Sequence, residues 1–211
     1  QYKIKNYLLT YAIKKNNIEM TQKLISKCGN YVNSVSINFD YGKFKWSNDY
    51  YDVNTKLINY KTEDTALTLA VKNNNLEITK LLLSIPNIDV NFISKGYHYN
   101  ETALAIAIRY NIEIAKLLLS NPNIDVNIKS IIYNREESPL FIAVRSGSLE
   151  IIDLLLKNPT IDVNSISIIQ NREKTALGYA FETEKIEIIK LLLDQPSIDP
   201  NPFIYDKVFD K

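Results

Sequence analysis

The sequence predicts an all-α solenoid of stacked helix–turn–helix units joined by β-hairpin or loop fingers. Three recurring landmarks carry that prediction. Thr65-Ala66-Leu67 returns as Thr102-Ala103-Leu104, Ser138-Pro139-Leu140 and Thr175-Ala176-Leu177. Leu81-Leu82-Leu83 returns at 117–119, 154–156 and 191–193. Ile88-Asp89-Val90-Asn91 returns at 124–127, 161–164 and, with Pro200 in place of valine, at 198–201. The steps between copies are 36 or 37 residues, and self-similarity at such a period marks an array of supersecondary units.

Each element of the unit follows from local chemistry. A threonine before an apolar, Ala-rich run is an N-cap, because its hydroxyl can accept from an orphan amide of the first turn. In the copy with Ser138, proline follows at N1, where its missing N–H costs nothing. Ala66, Leu67, Ala70 and Val71 then give a short helix one apolar side, and the small residues Ala70, Ala107, Ala143 and Ala180 suit close helix approach. Asn73-Asn74-Asn75, or Ser146-Gly147-Ser148 in a later copy, stops the helix and turns the chain. A second helix follows, with Leu76, Ile78 and the leucine triplet apolar and with Glu77 and Lys80 polar. Ser84-Ile85-Pro86-Asn87 ends it, since proline cannot continue the ladder. Asp-Val-Asn and ten further residues lead, extended, to the next threonine. At about two turns each, such helices fall below the ~12–15 residues an isolated helix needs, so copies must stack to bury their apolar sides.

At these residues the sequence resembles a known family. The pattern T-A-L-x-x-A-V, L-E-I-x-K-L-L-L and D-V-N is similar to the ankyrin repeat, T-P-L-H-x-A-A, E-I-V-x-L-L-L and G-A-D-V-N, over nearly the whole chain. The resemblance implies a repeat solenoid whose partners bind the concave side formed by fingers and inner helices. The departures are a unit longer than the family's 33 residues, with one extra residue before Asp-Val-Asn and about three in the finger. The family's histidine after T-P-L is absent, and Thr68, Ala105, Phe141 and Gly178 stand in its place.

Taken in order, the chain reads as one domain, 1–211, of five repeats: about 7–64, then 65–101, 102–137, 138–174 and 175–211. In the divergent first copy Leu9 aligns with Leu67, Ala12 with Ala70, and Leu24-Ile25 with Leu82-Leu83. A more polar outer helix, with Lys23 in the triplet, suits a terminal repeat facing water. Tyr31-Val32-Asn33 and Asp52-Val53-Asn54 both fit the Asp-Val-Asn slot, which places an insertion at about 31–51. Residues 37–46 alternate apolar and polar around Gly42 and read as a β-hairpin. Phe39, Tyr41, Phe44, Trp46, Tyr50 and Tyr51 make this the most aromatic stretch. Pro202–Lys211 has the usual finger length, so a longer array is expected to continue beyond it; the other expectation is that Phe203, Ile204, Val208 and Phe209 fold back as a cap.

Composition excludes most chemistry. The chain has 211 residues, 45% hydrophobic, with a formal net charge of +1, which fits a folded protein and argues against nucleic-acid binding. No apolar run spans a membrane. The single Cys28 excludes an intramolecular disulfide and fits an intracellular, cytoplasmic setting. Asn100-Glu101-Thr102 matches a glycosylation sequon, but Thr102 is already explained as a cap. One histidine, His98, cannot build a His-rich metal site or an ordinary Ser-His-Asp triad, and phosphate-loop and dinucleotide motifs are missing. No catalytic residue, metal or cofactor is expected.

What remains is surface. The positions after the inner-helix alanine are Lys14-Lys15, Lys72-Asn73, Arg109-Tyr110, Arg145-Ser146 and Glu182-Thr183. Four begin with a cation and could form a stripe that steers an acidic partner. The alternative is that Lys and Arg answer the helix dipole and pair with Glu63, Glu101, Glu137 or Glu173 at the finger bases. The fingertips add Tyr97, Tyr99, Tyr133 and the isoleucine pairs 131–132 and 168–169. The expected function is protein–protein recognition by a monomeric, non-catalytic module, binding an acidic protein or peptide through these residues and the aromatic insertion. The alternative is a targeting or autoregulatory segment of a larger multidomain enzyme.

Overall fold

The computed structural model describes residues 2–28, 36–39, 61–96 and 98–201. Among them ten helices alternate in pairs with strands. The helices are α1 (Tyr2–Lys14), α2 (Ile18–Cys28), α3 (Ala66–Lys72), α4 (Leu76–Leu83), α5 (Ala103–Tyr110), α6 (Ile112–Leu119), α7 (Pro139–Ser146), α8 (Leu149–Leu156), α9 (Ala176–Glu182) and α10 (Ile186–Leu193). The capping residues are the expected ones. Thr65, Thr102, Ser138 and Thr175 each accept a hydrogen bond from the amide three residues on. Asn75, Asn111 and Ser148 do the same for the second helices of their units. Between the helices the chain reverses through a left-handed residue, Asn74 (φ 56), Gly147 (φ 79) or Glu184 (φ 53). Asparagine and glycine accept that conformation at least cost.

The inner helices α1, α3, α5, α7 and α9 pack in one row, and α2, α4, α6 and α8 pack in a second. Between them runs one continuous core, from Leu9 and Ile13 through Leu67, Ile78, Leu104, Ile114, Ile151 and Leu177 to Leu192. The small alanines at 70, 107, 143 and 180 are all buried there.

The Asp-Val-Asn landmark proves to be a joint between repeats. Val90, Val126 and Val163 are buried. Asp89, Asp125, Asp162 and Asp199 each accept from the amide two residues on. Each asparagine bridges forward: Asn127 Nδ2 donates to Thr160 O (2.7 Å) and its Oδ1 accepts from Asp162 N (2.9 Å). Asn91 and Asn164 repeat that bridge to 123 and 125 and to 197 and 199.

The all-α expectation is corrected. The strands β1 (Ser36–Phe39), β2 (Lys61–Asp64), β3 (Ile93–Lys95), β4 (Tyr99–Thr102), β5 (Ser130–Ile132), β6 (Arg135–Glu137), β7 (Ser167–Ile169) and β8 (Arg172–Lys174) form one antiparallel sheet in sequence order. Fingers pair within themselves and also with their neighbours, for example Tyr99 with Ile132 and Arg135 with Ile169. A finger of this length leaves unpaired amides on both flanks, and the next finger satisfies them.

The first finger pairs differently from the hairpin read at 37–46. Ile37–Phe39 lies against Lys61–Glu63, and residues 40–46 of that reading lie outside the described residues. That pairing reproduces the register of the other fingers. Period-two alternation names a strand but not its partner. Tyr41, Phe44, Trp46, Tyr50, Tyr51 and Tyr97 lie outside the described residues.

Candidate functional site

The sheet runs beside the C-terminal ends of the inner helices, and the two surfaces meet over a ladder of charges. Strand β2 ends at Asp64, β4 carries Glu101, β6 ends at Glu137 and β8 ends at Lys174. Each reaches the inner-helix residue eight positions later. Lys72 Nζ donates to Asp64 Oδ1 (2.6 Å), to Ser94 Oγ (3.0 Å) and to the Tyr99 hydroxyl (3.2 Å). It also stands 4.5 Å from the Tyr99 ring centre, a cation–π approach. Arg109 donates to Glu101 and, from Nη2, to Glu137 (3.2 Å). Glu137 also accepts from Arg145 Nη2 (3.0 Å). One carboxylate thus bridges two repeats. The Arg145 Nε lies 2.9 Å from Glu137 Oε1, an ion-pair distance without hydrogen-bond alignment. In the last unit the signs reverse together, and Lys174 donates to Glu182.

Three of the stripe's four cations, Lys72, Arg109 and Arg145, are therefore occupied from within, while Lys14 on α1 is exposed. Arg109 is only 9% exposed and Glu137 2%. Charges so buried are held where their partners sit. Burial pushes the Glu101 carboxyl above its ordinary value, against the opposing pull of Arg109 and Lys72. Of the finger-base acids named from sequence, Glu101 and Glu137 meet the ladder cations, while Lys72 pairs with Asp64. Ser94 Oγ donates to the same Asp64 carboxylate. Asp64, Ser94 and Lys174 were missed. The signal was present, because an acid–base or base–acid pair recurs at a spacing of eight in every unit from 64/72 to 174/182.

Outside the ladder, two predicted residues are largely exposed. Tyr110, at the end of α5, is 75% exposed, and Tyr133, at the third fingertip, is 70% exposed. Small polar Asn73, Ser146 and Thr183 occupy the positions equivalent to Tyr110. Tyr133 stacks on His98 of the neighbouring finger with ring centres 4.8 Å apart, and its amide donates to His98 O (2.7 Å). Tyr99 is half-buried, held by Lys72. Ile132 and Ile169 are half-buried, while Ile131 is exposed. An open cleft of about 370 Å³ between the third and fourth fingertips is lined by Ile132, Tyr133, Asn134, Arg135 and Gln170. Phe39 lies on β1, paired with Lys61.

Among the described residues no cluster of His, Cys, Asp and Glu is gathered to hold a metal, and no helix is long and apolar enough to cross a membrane. Paired helices, a finger sheet and side-chain bonds between consecutive units define a repeat solenoid. A family model described as ankyrin repeats (three copies) matches residues 9–130 and 129–203. The chain belongs to the ankyrin repeat family, whose members are generally protein–protein interaction modules. A comparison with curated proteins finds no match.

Proposed function

We propose that the chain is a non-catalytic recognition module, acting inside the cell, that binds a partner protein across its fingertips and the ends of its inner helices. One observation carries this. Lys72, Arg109 and Arg145 are paired with carboxylates at the finger bases, whereas Tyr110 and Tyr133 are the most exposed large apolar residues described. Tyrosine offers a large, amphipathic contact area at low entropic cost, and such residues dominate binding hot spots. The inserted residues Tyr41, Phe44, Trp46, Tyr50 and Tyr51 belong to the same proposal as a second contact.

The test compares the whole chain with Tyr110→Ser, the residue found at the equivalent position of the next repeat, and with a chain in which 40–60 is replaced by a two-residue turn. The deletion retains both strands of the first finger. Each is immobilised, exposed to extract from the source cell and checked for equal helicity. A protein retained by the intact chain and lost by Tyr110→Ser supports the groove. Loss with the deletion alone moves recognition to the insertion. Equal retention by all three removes the proposal.

A further inference from the structure

The face of the sheet that carries the ladder also carries a row of which only Tyr99 meets a ladder cation, Lys72. Residues directly opposite one another in a β-ladder share a face. The registers Tyr99↔Ile132, Ile132↔Arg135, Arg135↔Ile169 and Ile169↔Arg172 therefore place five side chains in one line across β4 to β8. Ser130 and Glu137, two residues from Ile132 and Arg135, lie on the same face, and Glu137 meets Arg109 and Arg145 there. The row thus looks toward the inner helices and lies nearer the fingertips than the ladder. Arg135 and Arg172 are exposed. Neither has a carboxylate partner among the described residues, whereas Lys72, Arg109, Arg145 and Lys174 each have one.

At about 4.8 Å per strand spacing, the two arginine positions are roughly 10 Å apart, with half-buried Ile169 between them. Arg135 also lines the cleft beneath Tyr133. Tyr133 itself has φ 53. A left-handed conformation is costly for a bulky residue in a turn where glycine or asparagine would be relaxed. The ring is mostly exposed, and its one described ring contact is the stack on His98.

We propose that Arg135 and Arg172, with Ile132, Ile169 and Tyr133, form a docking row for an extended acidic segment of a partner protein. Resting on the protein-recognition reading, this names the partner's chemistry: two carboxylates four residues apart on one side of an extended chain, flanking an apolar side chain at the position between. Four residues advance about 13 Å along such a chain, within reach of two long arginine side chains. Guanidinium forks pair bidentately with carboxylates, and here they need not first leave another partner. The acidic preference expected from Lys72, Arg109 and Arg145 belongs instead to the fingertips.

The test is selection of linear random peptides displayed on phage against the whole chain, followed by affinity measurement of selected peptides on Arg135→Gln, Arg172→Gln and Tyr133→Gly. The row predicts peptides enriched in Asp and Glu. Each arginine substitution should weaken them about tenfold, as should replacing their acids by amides. Tyr133→Gly should weaken them with an unfolding midpoint unchanged or raised, because glycine relieves the strained turn. Peptides that bind without acidic enrichment, or that ignore both arginine substitutions, overturn the row and leave protein recognition standing. Failure to select any peptide counts against both.

Discussion

Glu137 shows what a single residue does in this fold. Its carboxylate is 2% exposed and serves Arg109 of its own finger's predecessor and Arg145 of the helix that follows it. Replacing one partner of a buried pair leaves the other charge uncompensated. Glu137→Ala should therefore cost about 3 kcal/mol in a urea unfolding experiment, and a loss under about 1 kcal/mol would show the arginines re-solvating freely. Glu101 makes a pH prediction. Its folded-state carboxyl is raised above the ordinary 4.5, chiefly by burial. Such a group favours the fold below its unfolded value, and that contribution is lost as pH rises through the folded value. The stability of the wild type relative to Glu101→Gln should consequently fall as pH rises from the ordinary carboxylate value of 4.5 upward, read from denaturant midpoints at each pH. A rise over that range would mean that Arg109 outweighs burial. The ladder was half legible: the spacing of eight is in the sequence, but whether a cation points to its own finger or to solvent is not.

At the scale of elements, Asn111 connects two helices without an intervening turn. Its amide donates to Ala107 O at the end of α5, and its side chain accepts from Ile114 N (3.0 Å) at the start of α6. It also donates to Asn74 of the preceding repeat. Asn111→Ala should cost about 1–2 kcal/mol, with faster amide exchange at Ile112–Ile114 than elsewhere. Uniform acceleration over the whole chain would place the effect on global stability instead. Caps were readable because the hydroxyl or amide acts on a backbone three residues away. The fingers were readable as hairpins or loops, but not the bounds of their strands, because three-residue segments such as Ser130–Ile132 carry too few residues for a period to declare itself. Their partners come from other repeats.

For the whole molecule, each repeat touches chiefly its neighbours, so stability is a sum of repeat and interface contributions. The asparagine bridge supplies one such interface. Asn127→Ala removes two hydrogen bonds between consecutive repeats, at roughly 1 kcal/mol each. It should lower the midpoint and broaden the transition by letting the two sides of the array unfold less cooperatively. An unfolding curve with unchanged midpoint and slope would mean that water replaces the side chain without loss.

The sequence by itself determined the architecture, since the period, the caps at Thr65, Thr102, Ser138 and Thr175 and the buried alanines all act within one unit or through its identical neighbour. Tertiary structure decided how the fingers join into one sheet, that the first finger's strand pairs with 61–64, and which cations are spent. Lys72, Arg109 and Arg145 look like an open basic stripe when read along the chain. They are paired because strands close on helices eight residues away and on the next repeat, and charge pairing depends on distance in space, not on order in sequence.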